Sequence, residues 1–160
     1  MAETGLYVNI MQESLVRKKN YLSELLRLTK EQGELAKSDE FDEDAFLKLI
    51  DEKDVLIENI NEIDKGFTSV YDRVRTEVME NKDTYREELK AMQEFIRACV
   101  DLGMQIQAEE QRNRMTLEHV FSSRFKGIRQ VKQSKSVANR YYQSMANGVV
   151  NDSMLYDRKK

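Results

Sequence analysis

The sequence contains no proline, no tryptophan, one histidine and one cysteine. Proline removes a backbone donor and clashes with the preceding helical turn, so its absence from 160 residues favours very long helices. The six glycines occur singly, which argues against a phosphate-binding loop or a flexible Gly-Ser linker. One cysteine excludes an intrachain disulfide, and no apolar run is long enough for a signal peptide or a membrane span. We therefore expect a cytoplasmic protein without stable membrane insertion.

The composition that remains is that of a single elongated domain. Hydrophobic residues make up 40% of the chain and charged residues 34%. This leaves enough apolar side chain to fold but not enough for a thick globule, so a shape with a high surface area is favoured. Nothing in the sequence suggests a second core.

Apolar residues recur at spacings of three and four along most of the chain, as on one face of a helix. The spacing predicts a first helix from Thr4 to about Gly33, a second from about residue 43 to about residue 80, and a third with Tyr85 as its first apolar residue. Short connections between long helices favour antiparallel neighbours. The predicted fold is all-α: an elongated up-down-up bundle of three long antiparallel helices with an amphipathic, partly flexible C-terminal tail. We expect the bundle to cover residues 1–127 and the tail residues 128–160.

Capping residues predict where the second and third helices begin. Ser38, Asp39 and Asp42 are suitable N-caps for the second helix. Thr84 and Glu87 form a capping-box pattern before the third helix, in which a hydroxyl and a carboxylate each satisfy a free backbone N–H.

Two features interrupt the apolar pattern. Lys53 occupies the heptad position that Phe46, Ile60, Phe67 and Val74 share. The run "QAEEQRNRMT" between Ile106 and Leu117 has few apolar residues, so the third helix is expected to be either solvent-exposed all round or broken there. Its adjacent glutamates, Glu109 and Glu110, are interpreted as solvated charge rather than as an acid–base pair, because neighbours on a helix point in different directions.

The C-terminal segment is amphipathic and basic. Residues 124–160 contain nine basic and two acidic side chains, a net charge of +7, whereas the first 123 residues carry a net charge of −10. Asn147-Gly148 and the residues 151–153 are turn signals that should end any helix there. The apolar period of the segment includes Ile128, Val131, Ala138, Tyr142, Met145 and Val149.

Catalytic and metal-binding patterns are scarce. His119 is the only histidine, which excludes a multi-histidine metal site within one chain. Cys99 lies among apolar residues and has no basic neighbour in sequence that would lower its pKa, so a buried structural thiol is favoured over a nucleophile. We therefore expect no enzyme, no cofactor and no metal.

Three interpretations of the basic tail remain. It extends the third helix or folds back as a fourth helix over an exposed seam of the bundle. Alternatively, it binds nucleic acid or an anionic membrane, although the acidic body would repel both and the basic residues are spread out. The third interpretation is a surface for a partner's helix, to which tyrosine and methionine are well suited. We favour the third and expect no nucleic acid partner.

Several segments resemble the FlgN-type family of flagellar export chaperones. They are the second helix "FDEDAFLKLIDEKDVLIENINEIDKGF", from Phe41 to Phe67, the long third helix after it, and the tail segments "SKSVANRYYQSM" and "DSMLYDRKK". The resemblance covers nearly the whole chain in helix order and length. It implies a small helical protein that binds the hook-filament junction proteins, which are the hook-associated flagellar proteins, and delivers them to the type III flagellar export gate.

The resemblance also implies positions for the contacts. The family binds its clients through the amphipathic C-terminal region, and a tyrosine there is implicated in docking at the export gate. The matching client face here is Val131, Ala138, Tyr142 and Met145, and Tyr141 or Tyr142 is the docking candidate. Val149 continues the same apolar period, so we include it among the partner-binding residues. The final "MLYDRKK" has no residue-level counterpart.

Two other functions stay open. The long helices suit a structural coiled-coil protein that self-assembles, although Lys53 and Gly66 spoil its heptads. A chaperone for a different flagellar client, such as the filament cap, fits the same sequence. We expect a monomer or a weak homodimer.

Overall fold

The computed structural model describes residues 2–124, which form three long helices and two short connections. Helix α1 spans Ala2–Lys37, α2 spans Glu43–Glu80 and α3 spans Arg86–Arg124. Each helix therefore has about ten turns or slightly more. The predicted all-α bundle of three long helices is confirmed, and the predicted C-terminal tail lies outside the described residues.

The start of α2 follows from the side chain of one aspartate. Asp42 is the N-cap: its carboxylate accepts a hydrogen bond from the Ala45 amide at 3.0 Å, and acidic residues occupy the first turn. The predicted bounds of α2, residues 43 to 80, are confirmed. Of the three predicted caps, Asp42 is the one used.

The predicted capping box at Thr84 is wrong by one residue. The Thr84 amide donates to the Asn81 carbonyl at 3.0 Å within the turn, and the first bond of α3 joins the Leu89 amide to the Tyr85 carbonyl at 2.8 Å. Tyr85 therefore stands at the N-cap position, and its buried ring packs into an apolar cluster. Packing of this ring, rather than a hydroxyl cap, fixes where α3 begins.

Helix α1 extends four residues past the predicted end at Gly33. This glycine does not end the helix but packs closely against α3. A Cβ atom at Gly33 would lie 2.6 Å from Asn113 Oδ1, so only glycine lets the asparagine of α3 approach this closely. A glycine within an apolar helical pattern here marks a close helix contact and not a helix end.

The three helices run up, down and up. Thr4, near the start of α1, donates a hydrogen bond to Glu77 near the end of α2. Ala36, near the end of α1, shares an apolar cluster with Leu117 of α3. Helix α1 is thus antiparallel to α2 and parallel to α3. It packs closely on both, whereas no Cα atom of α2 lies within 8 Å of a Cα atom of α3.

Three apolar clusters follow one another along the bundle, and a buried ion pair separates each from the next. The first cluster surrounds Val8, Met11 and Leu15, and the Lys18–Asp64 pair follows it. Next come the middle cluster and the Lys53–Glu110 pair. The middle cluster consists of Leu22, Leu25, Ile57, Ile60 and Cys99, and the last cluster of Ala36, Phe46, Ile50 and Leu117.

Candidate functional site

A layer of buried polar side chains crosses the bundle between the middle and last apolar clusters. Thr29 and Gln32 come from α1, Lys53 from α2, and Glu110 and Asn113 from α3, and none is more than 3% exposed. Four of them lie three or four residues from a buried apolar residue of their own helix, and Glu110 lies seven residues before the buried Leu117, so helical periodicity directs all five inward. We call this set the polar layer.

Hydrogen bonds within the polar layer join the three helices. Lys53 Nζ donates to Gln32 Oε1 at 2.7 Å and to Glu110 Oε1, with which it also forms an ion pair. Asn113 Nδ2 donates to the Thr29 carbonyl at 2.8 Å. Thr29 Oγ1 donates to the Leu25 carbonyl at 2.7 Å and lies 3.4 Å from Glu110 Oε1. The layer therefore links α2 to α1 and to α3 at a level where backbones of α2 and α3 are apart.

Burial dominates the electrostatics of the ion pair. It raises the pKa of Glu110 above the ordinary value of 4.5, although the charge and the hydrogen bond of Lys53 act to lower it. It also lowers the pKa of Lys53 below 10.5, against the attraction of Glu110. Within the described part of the chain, Glu110 Oε2 and Gln32 Nε2 have no hydrogen-bond partner, which adds to the desolvation penalty of the layer.

These pKa directions predict how the ion pair contributes to stability as the pH changes. A variant with Gln32→Leu, Lys53→Met and Glu110→Leu lacks both titrating groups and serves as the reference. Relative to it, the wild type should lose stability as the pH rises above 4.5, because the unfolded carboxyl ionises before the folded one. The wild type should regain stability as the pH approaches 10.5, because the unfolded ammonium then loses its proton.

Urea unfolding of both proteins at a series of pH values measures this difference. A wild type that gains relative stability above pH 4.5 would show that the attraction of Lys53 outweighs burial at Glu110. A pH-independent difference would show that neither pKa changes on folding.

The polar layer corrects two expectations. Lys53 does not interrupt the core of α2, because it is buried in the heptad position it occupies. The prediction that α3 is exposed all round or broken after Ile106 is wrong, since α3 continues to Arg124 and buries Glu110 and Asn113. The interpretation of Glu110 as solvated charge is therefore wrong too. Heptad spacing counted without regard to residue polarity predicts these two burials, because Glu110 lies seven residues and Asn113 four residues before the buried Leu117.

A second buried ion pair lies between the first and middle apolar clusters. Lys18 Nζ of α1 lies 2.9 Å from Asp64 Oδ1 of α2, and the lysine side chain is 1% exposed. The hydrophobic pattern of α1 gives no sign of this contact, because lysine at position 18 stands among basic neighbours in sequence. Both ion pairs use a lysine at a core position and an acid on another helix.

The seam between α2 and α3 is open. In heptad notation, e and g are the positions that flank the core positions a and d, and the e positions of both helices face this seam. Six of these eleven residues are exposed and none is buried: they are residues 47, 54, 61, 68 and 75 of α2 and residues 86, 93, 100, 107, 114 and 121 of α3. On the two seams that α1 forms with its neighbours, five of the twenty flanking residues are buried and none is exposed. We call the open seam the α2–α3 groove.

Half-buried apolar side chains line the α2–α3 groove along its length. Tyr71 of α2 and Leu89 of α3 occupy the core positions nearest to this seam, yet both are only half-buried. By contrast, the core positions of α1 from Thr4 to Ala36 are buried. The groove therefore presents apolar surface that the three described helices do not cover, from one end of the bundle to the other. Its main apolar residues are Leu47, Tyr71, Leu89, Val100 and Phe121.

Acidic residues concentrate on one side of this groove. Residues 38–64 contain eleven acidic and two basic side chains, a net charge of −9, which is nearly all of the −10 carried by residues 1–123. Asp51, Asp54 and Glu58 are exposed on the α2 side that borders the groove. The groove therefore combines an apolar floor with an acidic rim, which suits a basic amphipathic helix.

A recess of about 590 Å³ lies on the other side of α3, against α1. Gly33 and Asn113 line it. Four of its five rim charges pair within their own helices: Arg112 with Glu109 at 2.5 Å and Lys37 with Glu34 at 4.0 Å. The recess is short and its rim has both signs of charge, so it is less suited than the α2–α3 groove to hold a helix.

The predicted partner-binding residues all lie outside the described residues. These are Val131, Ala138, Tyr141, Tyr142, Met145 and Val149, and their assignment stays a prediction. The described chain ends at Arg124, beside the half-buried Phe121 at one end of the groove. Sequence reasoning did not identify the groove itself, because an open seam is a property of how three helices pack together.

The two residues considered for chemistry are placed as expected. Cys99 is buried in the middle apolar cluster, and His119 lies on the exposed surface of α3. In residues 2–124 no three His, Cys, Asp or Glu side chains come together as metal ligands would. None of the three described helices is both long and apolar enough to cross a bilayer.

Comparisons of the chain with protein-family models, curated proteins and solved structures find no match. Its function is therefore inferred from its own residues and from the resemblance noted above.

Proposed function

We propose that this protein is a chaperone that binds an apolar helix of a partner, as FlgN-type export chaperones bind hook-associated flagellar proteins. The observation that carries the proposal is an open, apolar seam in a three-helix bundle that continues into a basic amphipathic segment. Bundles of helices are stable when each apolar face is covered, so an uncovered seam is a site for a further helix.

The flagellar assignment rests on the resemblance of the second helix and the tail. In this proposal the clients are hook-filament junction proteins, whose terminal helices expose an apolar stripe before assembly. Val131, Ala138, Tyr142, Met145 and Val149 form the client face. Tyr141 or Tyr142 contacts the type III export gate.

Such a chaperone works by covering surface and needs no catalytic residue. The tail and a client helix each supply half of an apolar interface that neither completes alone. Tyrosine contributes a large contact area with few rotatable bonds, and methionine adapts to an irregular partner surface. Release at the export gate requires a competing interaction, so a moderate affinity for the client is functional.

Replacement of two residues of the client face tests the proposal. Tyr142→Ala with Met145→Ala should weaken binding of a peptide from the C-terminal helix of a hook-associated protein by about 2 kcal/mol, a factor of about 30. The loss follows from removing the two largest side chains of the face. Isothermal titration calorimetry measures the affinity, and circular dichroism measures the midpoint of thermal unfolding, which should be nearly unchanged.

The chain offers a matched control for this variant. Met154→Ala with Tyr156→Ala removes the same two residue types beyond the predicted turn and should leave peptide affinity unchanged. Equal losses in both variants would argue against the assigned face. A markedly lower unfolding temperature for the first variant would assign Tyr142 and Met145 to the core of the bundle.

The open groove also favours a second candidate, a structural protein whose groove takes a helix of another copy. Analytical ultracentrifugation separates the two, because self-assembly gives a mass that grows with concentration and the chaperone gives a monomer or a weak dimer.

A further inference from the structure

We propose that, without a partner, residues 128–146 occupy the part of the α2–α3 groove between Phe121 and Val100 as a fourth helix, held by the acidic rim of α2. This intramolecular contact does not depend on the identity of the client. It adds a resting state to the proposed function, in which a client must displace the tail from the groove.

The first support is where the described chain ends. Arg124 lies at the end of the bundle that also holds Leu47 and Phe121, the entrance to the α2–α3 groove. Gly127 follows three residues later, and glycine is the residue most often used to end a helix and reverse the chain. A helix that starts at Ile128 therefore enters the groove beside Phe121 and runs back along α3.

The second support is length. The Lys53–Glu110 pair places these two residues at one level of the bundle, so residues 42–63 of α2 lie alongside residues 100–121 of α3. A helix from residue 128 to residue 146, just before the predicted turn at Asn147-Gly148, has 19 residues and is roughly 28 Å long. It extends from the level of Phe121 to within one turn of the level of Val100, and its apolar period faces the half-buried floor there.

The third support is charge. The α2 segment that this helix would border lies within residues 38–64, where the net charge is −9. Residues 128–146 contain four basic side chains, Arg129, Lys132, Lys135 and Arg140, and no acidic one. The position of the tail helix derived from its length therefore places its basic residues beside residues 38–64, the most acidic part of the bundle. Exposed opposite charges attract most strongly at low salt and are screened beyond about 10 Å at 0.1 M.

Paramagnetic relaxation in the full-length protein tests this contact. A nitroxide is attached to Val55→Cys, on the exposed surface of α2, and to Val16→Cys, on the exposed surface of α1, in separate samples. The buried Cys99 does not compete for the label. With the label at position 55, amide signals of residues 128–146 should be strongly attenuated at low salt. With the label at position 16 they should keep their intensity.

Charge variants test whether the acidic rim of α2 holds the tail at this position. Asp54→Asn with Glu58→Gln, at the groove rim, should restore the signals of residues 128–146, as should about 1 M salt. Glu87→Gln with Glu94→Gln removes the same charge from the exposed face of α3 away from the groove and should leave the attenuation intact.

Three outcomes would overturn the proposal. Full signal with the label at position 55 shows that the tail does not occupy the groove. Equal attenuation from both labels shows that it has no defined site. Attenuation in an unlabelled ¹⁵N chain mixed with a spin-labelled ¹⁴N chain shows that the groove takes the tail of a second copy. The relaxation experiment contains no client peptide, so its outcome does not decide whether the peptide binds, and the two proposals fail separately. Because the resting contact is released at about 1 M salt, it contributes little to thermal stability and is compatible with an unchanged unfolding midpoint for Tyr142→Ala with Met145→Ala.

Discussion

Glu110→Leu alone should destabilise the protein by about 3–5 kcal/mol, because it leaves the Lys53 ammonium buried without its counter-charge. For a chain of this length, such a loss lowers the midpoint of thermal unfolding by roughly 10 °C. Urea unfolding followed by circular dichroism measures the free energy. The exposed Arg114–Glu118 pair provides the control, since Glu118→Gln should change stability by less than about 0.5 kcal/mol.

Replacing the whole polar cluster should reverse this loss. With Gln32→Leu and Lys53→Met added to Glu110→Leu, no unpaired charge remains, and similar replacements of buried ion pairs are neutral or stabilising by about 1–4 kcal/mol. If this triple variant were less stable than Glu110→Leu alone, the loss of stability in Glu110→Leu would come from altered packing in the polar layer and not from an unpaired buried charge. A stable single variant would mean that Lys53 reaches solvent when Glu110 is removed.

Phe46→Ala should have an effect of comparable size, about 3–5 kcal/mol of lost stability. The ring is fully buried in the last apolar cluster, where it packs against Phe41 with 5.4 Å between the ring centroids. Its removal leaves a cavity at the end of the bundle next to the groove entrance. Equilibrium unfolding in urea measures the loss.

Leu6→Ala is the matched control for Phe46→Ala. Leu6 is 58% exposed on α1, so truncating it should change stability by less than about 0.5 kcal/mol. A loss below about 1 kcal/mol at Phe46 would show that the last cluster closes around the cavity.

The bounds of α2 could be predicted because its sequence is locally consistent. An aspartate cap, an acidic first turn and an apolar stripe all indicate the same helix. The number of helices and their up-down-up order followed from the long apolar periods and the short connections. Gly33 misled the prediction for α1, because its role depends on Asn113, a residue of another helix.

The candidate site was less predictable, for two physical reasons. Lys53 and Glu110 each interrupt the apolar pattern of their own helix. Only the packed bundle shows that the charge of each is paired with the charge of the other. The α2–α3 groove arises from the distance between two helices, which no single helix encodes. Tyr142 and Met145 stay predictions, since they lie outside the described residues.

Because the backbones of α2 and α3 each lie close to α1 but farther from each other, the width of their seam can change while the surface of α1 stays covered. The Lys53–Glu110 hydrogen bond ties the two helices at one level, and Gln32 attaches that tie to α1. The short turn of residues 81–85 also joins α2 to α3 beside Tyr71 and Leu89. The seam is therefore a slot of fixed width at these two levels and adjustable width towards Leu47 and Phe121. Such a slot accepts helices with bulky or small side chains at its adjustable end, so one bundle can hold several sequences in a common register.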